Sequence, residues 1–193
     1  MRIGVLAWGS LVWDRRDLAV AADFKPTGPR LPVEFCRVSG RADQPRRLTL
    51  VIDEAVGSVC STYSAASVFD NLKDARQNLQ DREGMDHVNG VGFVDFASGT
   101  ESHRAMERHP GAVETIKAWA ADNGYDAAIW TALACNFHEP DKANEPFTTD
   151  AAIRYLETLD EKALEYALTY IRLAPGEVRT PVRAAINKRW PEG

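Results

Sequence analysis

Two short stretches concentrate the residue types that could do chemistry. The first is Trp8-Gly9-Ser10-Leu11-Val12-Trp13, where a glycine–serine turn is flanked by two of the chain's five tryptophans. A strand-to-turn junction needs the glycine but not the tryptophans, so this turn is either a wall of the core or the floor of a site. The second is Asp81-Arg82-Glu83-Gly84, which closes an amphipathic helical pattern. A carboxylate at a helix C-terminus faces the negative end of the macrodipole, which disfavours its charged form. Desolvation at a pocket mouth would push in the same direction. Glu83 is therefore a candidate general acid–base group for work near neutral pH. The competing reading is a solvated helix-end glutamate with Gly84 as the left-handed cap.

Other chemistries find less support. The histidines, His87, His103, His109 and His138, show neither HExxH nor Cys-X-X-Cys company and read as surface or loop residues, so no metal is expected. There is no phosphate-cradling glycine loop; Gly90 and Gly92 lie inside a strand pattern, where glycine marks a bulge or the close approach of another element. Ser10 lacks the G-x-S-x-G elbow of a serine nucleophile. Cys36, Cys60 and Cys135 are odd in number and widely spaced in strand-like segments, which suits buried reduced thiols and a cytoplasmic setting. A formal net charge of -5 removes a general nucleic-acid footprint. The one basic cluster, Arg37, Arg41, Arg46 and Arg47, reads as a solvated loop, with a small anion site as the alternative. The amino end has no leader pattern, and the longest apolar run, from Ala127 to Cys135, is too short to cross a bilayer, so no membrane is expected.

The elements that must position these residues follow from periodicity. Alternating or continuous apolar patterns predict strands over 3–8, 31–38, 46–53, 57–64, 88–96 and 126–137. Val68, Phe69, Leu72, Ala75 and Leu79 switch to helical spacing over Ser67–Glu83, with Ser67 as the expected N-cap. Pro110 opens a second helix whose apolar face is Val113, Ile116 and Trp119. Thr148-Thr149-Asp150 starts a third, over 150–158; a fourth spans 161–173, and a short one lies near 181–188. Strands arrive in a run before single helices, so the expected class is α+β: a small mixed β-barrel with helices packed outside, as one domain over 1–193.

The order of these features resembles the gamma-glutamylcyclotransferase-like superfamily. Trp8-Gly9-Ser10-Leu11-Val12-Trp13 is similar to the ChaC-type version of its motif, in which Tyr-Gly-Ser-Leu is followed by an apolar residue and Trp. Arg46–Ile52 falls where that branch has a similar strand, Gly57-Ser58-Val59 resembles the strand start that follows, and Glu83 lies where the family carries its acid/base. The likeness covers the first half of the chain by motif and the second half by order of elements alone. Trp8 departs from the usual Tyr, so a hydroxyl at that position is lost.

The resemblance implies a metal-independent intramolecular reaction with no organic cofactor. The α-amine of a γ-glutamyl compound attacks its own γ-carbonyl and closes 5-oxoproline, expelling an amine, as in glutathione breakdown. Tethering supplies the proximity. Glu83 would move the proton, the Gly9, Ser10 and Leu11 amides would grip an oxyanion or carboxylate, and Trp8 and Trp13 would shield the pocket. Two rivals stand beside this: a domain of the same fold that binds a γ-glutamyl or other small carboxylate without turnover, and a purely structural or interaction domain. The leaving group and the oligomeric state are not legible.

Overall fold

The protein, seen in a computed structural model, is described over residues 1–41 and 44–191, without the side chains of Arg41 and Gln44. It is a mixed α+β protein whose strands form two open sheets, one of five strands and one of three, and not a closed barrel. This corrects the expectation that all six strand segments share one closed sheet. The physical reason lies at 57–64. That run is interrupted at Thr62, so Ser58–Ser61 (β4) pairs in the smaller sheet and Tyr63–Ala66 (β5) in the larger. Thr62 is fully buried, and its hydroxyl donates to the Pro29 carbonyl at 2.5 Å, a bond off the ladder.

Close packing divides the chain into two compact units, residues 1–31 with 61–133, and residues 32–60 with 134–193. In the first, β1 (Ile3–Ala7) lies between β5, antiparallel, and β8 (Ala127–Thr131), parallel. The sheet continues through β6 (Val91–Asp95) to the short β7 (Thr100–Glu101), each antiparallel to its neighbour. Every residue of β1 is buried, as expected for a strand covered on both faces. Ile3, Val5 and Ala7 share a core with Ala75 and Leu79 of helix α1 (Leu72–Glu83). The opposite face at Gly4 meets Trp119 of α3 (Pro110–Asp122), where a Cβ would come within 3.1 Å of the indole. Gly92 plays the same part in β6. It pairs across the ladder with Trp130, whose ring fills the space of its missing side chain, the close approach anticipated from the sequence. Helix α2 (His103–Arg108), capped by Ser102, was not legible in the pattern.

Helix α1 starts at Asn71, whose side chain accepts from the Asp74 amide at 2.9 Å, and not at Ser67. The Ser67 amide is engaged by the Ile3 carbonyl at 2.9 Å, which holds that residue against the end of β1. Gly84 closes α1 in the left-handed region, φ 61°, donating to Asp81 while Met85 donates to Gln80.

The second unit holds β3 (Gln44–Ile52) and most of β2 (Arg30–Arg41) and of β4, in the order β3-β2-β4. Helices α4 (Thr149–Glu157), α5 (Glu161–Leu173) and α6 (Pro181–Arg189) are each opened by a side-chain cap: Thr148, Asp160 and Thr180. Helix α5 lies along β3, where the Arg47 guanidinium sits 5.2 Å and 4.8 Å from the Tyr166 and Tyr170 ring centroids. Among the described residues no helix is long and apolar enough to cross a membrane.

Candidate functional site around the first turn and the end of helix α1

Strand β1 delivers Trp8 and the following turn from inside the core. Val12 donates to the Gly9 carbonyl at 3.0 Å and Asp14 to the Ser10 carbonyl at 2.8 Å, so the turn is wound by its own backbone. The Trp8 and Leu11 side chains are buried, and Leu11 belongs to the same core as Ile3, Val5 and Leu79. Gly9, Ser10 and Trp13 are half-buried. Among the described residues, no group accepts a hydrogen bond from the amides of Gly9, Ser10 or Leu11. The turn is thus a core wall through two of its side chains, and it carries three successive uncommitted donors in its backbone.

Helix α1 brings the second stretch to the turn. Its buried positions are Ala75, Leu79 and Arg82, an i, i+4, i+7 stripe that ends on an arginine. The Arg82 side chain retains 3% exposure, and its guanidinium nitrogens reach the turn. Nη1 donates to the Ser10 hydroxyl at 3.3 Å and to the Glu83 carboxylate at 2.6 Å. Nη2 donates to the same hydroxyl at 3.3 Å and to the Asp14 carbonyl. Nε is buried with no hydrogen-bond partner among the described residues. Arg82 therefore ties Glu83 to Ser10 through one nitrogen. Its positive charge opposes the macrodipole that acts on a carboxylate at the helix end. The Glu83 side chain keeps 19% exposure, so it is sheltered but reachable.

Sequence reasoning identified Glu83, Ser10 and their neighbours but passed over Arg82. The signal was present: an arginine on the apolar stripe of an amphipathic helix must find buried acceptors or break the helix's packing. Chemically the arrangement offers a carboxylate, Glu83, held by a guanidinium, Arg82. It also offers three backbone donors on the adjoining turn.

Other sequence candidates fall elsewhere. His87, His103 and His138 are exposed, but His109 is completely buried and accepts from the Trp130 indole at 3.3 Å, a correction to its expected surface position. The basic cluster is not a solvated loop as a whole. Arg37 is half-buried and donates to the Ala134 carbonyl at 2.8 Å, Arg46 donates to the Asp141 carbonyl at 2.6 Å, and Arg47 stacks on two tyrosines. The Arg41 side chain lies outside the described residues. All three cysteines are free thiols, Cys36 and Cys60 buried and Cys135 half-buried. A separate cavity of about 240 Å³ is lined by Arg76, Phe93, His103, Arg104 and Glu107 among others. Arg76 stacks 4.2 Å over the Phe93 ring, and burial holds its guanidinium below the ordinary arginine range.

Compared with models of protein families, with curated proteins and with solved structures, the chain matches none.

Proposed function

We propose that the protein is an intramolecular cyclotransferase that releases 5-oxoproline from a γ-glutamyl compound. The observation that carries this reading is the shared Arg82 nitrogen, which places the Glu83 carboxylate beside the Ser10 turn. In this reading Glu83 removes a proton from the substrate α-ammonium. The freed amine forms a bond to the γ-carbonyl carbon, and the Gly9, Ser10 and Leu11 amides hold the developing oxyanion. Breaking the γ-carbonyl–nitrogen bond expels an amine, to which Glu83 returns the proton, and the second proton of the attacking nitrogen passes to that departing amine, which leaves as an ammonium. Arg82 is a positioning residue: it fixes the carboxylate rotamer and neutralises it between turnovers. Trp13 and the buried Trp8 restrict water near the turn.

The reading is tested by 5-oxoproline release from a panel of γ-glutamyl amino acids, γ-glutamylamines and glutathione. Activity that vanishes in Glu83→Gln but persists in Glu54→Gln and Asp81→Asn supports it. Retention of most of the wild-type rate by folded Glu83→Gln excludes Glu83 as the base.

A second reading, binding of a small carboxylate without turnover, is favoured by the cavity at Arg76, His103 and Arg104. The Arg76 and Arg104 guanidinium groups beside the Phe93 ring suit an anion, with the Glu107 carboxylate on the same lining. Calorimetric binding of 5-oxoproline or glutamate that is lost in Arg76→Met and indifferent to Glu83→Gln would select this reading over catalysis.

A further inference from the structure

The second unit contains a side-chain cluster that the proposed reaction does not use. Cys36, Asp53 and Cys135 present two thiols and one carboxylate whose potential ligand atoms all lie within 4.8 Å of one another. Three separate segments supply them. Cys36 sits in β2 at an irregularity of the ladder between Glu34 and Arg37, where the β2–β3 register shifts. Such bulges re-aim side chains. Asp53 directly follows β3, and Cys135 lies in the irregular segment beyond β8.

The backbone holds each group in place. The Asp53 amide donates to the Pro32 carbonyl at 3.0 Å, and its own carbonyl accepts from Gly57 at 2.9 Å. One carboxylate oxygen, Oδ1, accepts from the Ala55 and Val56 amides at 2.9 Å and 3.1 Å, which fixes the carboxylate and leaves Oδ2 outside those bonds. The Cys135 thiol donates to the Cys36 carbonyl at 2.9 Å, so the two cysteines are in direct contact.

We infer that Cys36, Cys135 and Asp53 form a binding site for a borderline-soft divalent cation of the zinc class. Tetrahedral zinc takes thiolate sulfur at about 2.3 Å and carboxylate oxygen at about 2.0–2.2 Å, which needs ligand atoms roughly 3.5–3.8 Å apart. The cluster is already near that size. Thiolate ligands select zinc-like ions over magnesium or calcium, which prefer oxygen alone. Binding releases the two thiol protons to solvent and forms metal–sulfur bonds without any change of oxidation state. Two thiolates and a carboxylate carry three negative charges, the cation offsets two, and the neighbouring Arg37 guanidinium, anchored on the Ala134 carbonyl and also facing Glu139, lies beside the remainder. Three protein ligands leave a fourth position for water or a small ligand, the pattern of an open site and not of a closed structural one.

The test uses the full chain with its thiols reduced. Cd²⁺ titration should produce a sulfur-to-metal charge-transfer absorption that saturates at a single ion per chain. Cys135→Ser and Cys36→Ser should abolish it, Asp53→Asn should weaken binding by more than about 10-fold, and Cys60→Ser should leave it unchanged. Cys36 is fully buried, so its variant could unfold. A measurement on the wild type covers that outcome: Zn²⁺ should slow alkylation of Cys135 and raise the melting temperature in proportion to the logarithm of free ion. Absence of the absorption in reduced wild type, or its persistence in Cys135→Ser, overturns the site. A reduced protein that ignores Cd²⁺ yet readily forms a Cys36–Cys135 disulfide would also overturn it and identify the pair as a redox couple.

Discussion

Two glutamates, Glu83 half-buried and Glu34 fully buried, show how differently the two units house a carboxylate. Glu83, in the first unit, lies 2.6 Å from a guanidinium that is itself buried. Glu34, in the second, is 1% exposed and is held by neutral donors: the Phe35 amide at 2.7 Å, the Val182 amide at 3.4 Å, and the Thr180 hydroxyl. Burial pushes Glu34 above the usual carboxylate range, and these hydrogen bonds only partly oppose it. The same side chain is thus given a cation in one unit and hydrogen bonds alone in the other. A paired carboxylate at a partly open helix end suits the proposed proton transfer, whereas Glu34 ties β2 to the start of α6.

The contrast breaks first at Glu83. Glu83→Gln keeps an oxygen for Arg82 but no basic carboxylate, and kcat for 5-oxoproline release should fall by about 10²–10⁴. The folded fraction is checked by thermal melting, and Glu34→Gln, measured alongside, should leave the rate within about 2-fold once folded protein is counted.

Arg82→Ala comes next in size. It strips the Ser10 hydroxyl, the Asp14 carbonyl and Glu83 of their common donor. Breaking a buried pair costs about 3 kcal/mol or more, here taken at the low end because Glu83 keeps some contact with water. For a chain of this length that lowers the melting temperature by roughly 6–12 °C. Adding Glu83→Gln to Arg82→Met should recover part of the loss, since an apolar side chain of similar reach tolerates a neutral neighbour. Full additivity of the two substitutions would show that the pair is not coupled.

The pH dependence of stability sharpens the other half of the comparison. Because the folded protein holds the Glu34 proton more tightly than the unfolded chain does, Glu34 favours folding fully below its ordinary value of about 4.5. That contribution is lost as pH rises from there through the raised folded value. Glu34→Gln cannot titrate, so urea-unfolding free energies of the two proteins should converge or cross in favour of the variant on going upward from pH 4.5. Parallel curves would remove Glu34 from the account. The smallest effect is expected at a cap. Asp160 accepts from the Ala163 amide at 2.8 Å, and Asp160→Ala should cost about 1 kcal/mol with no change in either carboxylate's behaviour.

What the sequence disclosed follows the range of the interactions involved. Gly84, Pro110, Asp160 and the Thr148 cap act within a turn of their own position, and the elements they bound were legible to within a few residues. Thr62 and Ser67 were misjudged because their bonds go to Pro29 and Ile3, residues far off in the chain. A strand pattern does not reveal which sheet it joins, and so the run at 57–64, rich in β-branched and aromatic side chains, reads as one strand of a barrel although it serves two sheets. At the candidate site, Glu83 and the Trp8–Trp13 turn were found by motif. Arg82 was missed, although its place on the Ala75–Leu79 stripe marks it as buried. Cys36 and Cys135 read from the sequence as buried reduced thiols, and a separation of 99 residues gives no hint of their contact.

The interleaved chain has a consequence for how the protein is made. The pairing of β1 with β8 joins residues as far apart as Ile3 and Ala127, and the Arg2 amide reaches the Asp126 carboxylate across 124 positions. As the chain leaves the ribosome, β1 can find β5 early but must wait until β8 has been made before its second edge is covered. Until then an apolar strand presents unpaired amides and carbonyls, a template for pairing with another copy. Because each unit is assembled from two stretches of chain, cutting at residue 60 or 133 would yield fragments that lack half of a sheet or its covering helices. Productive folding of this protein is therefore expected to be slow for its size and sensitive to concentration, and its rate should be read on the whole chain.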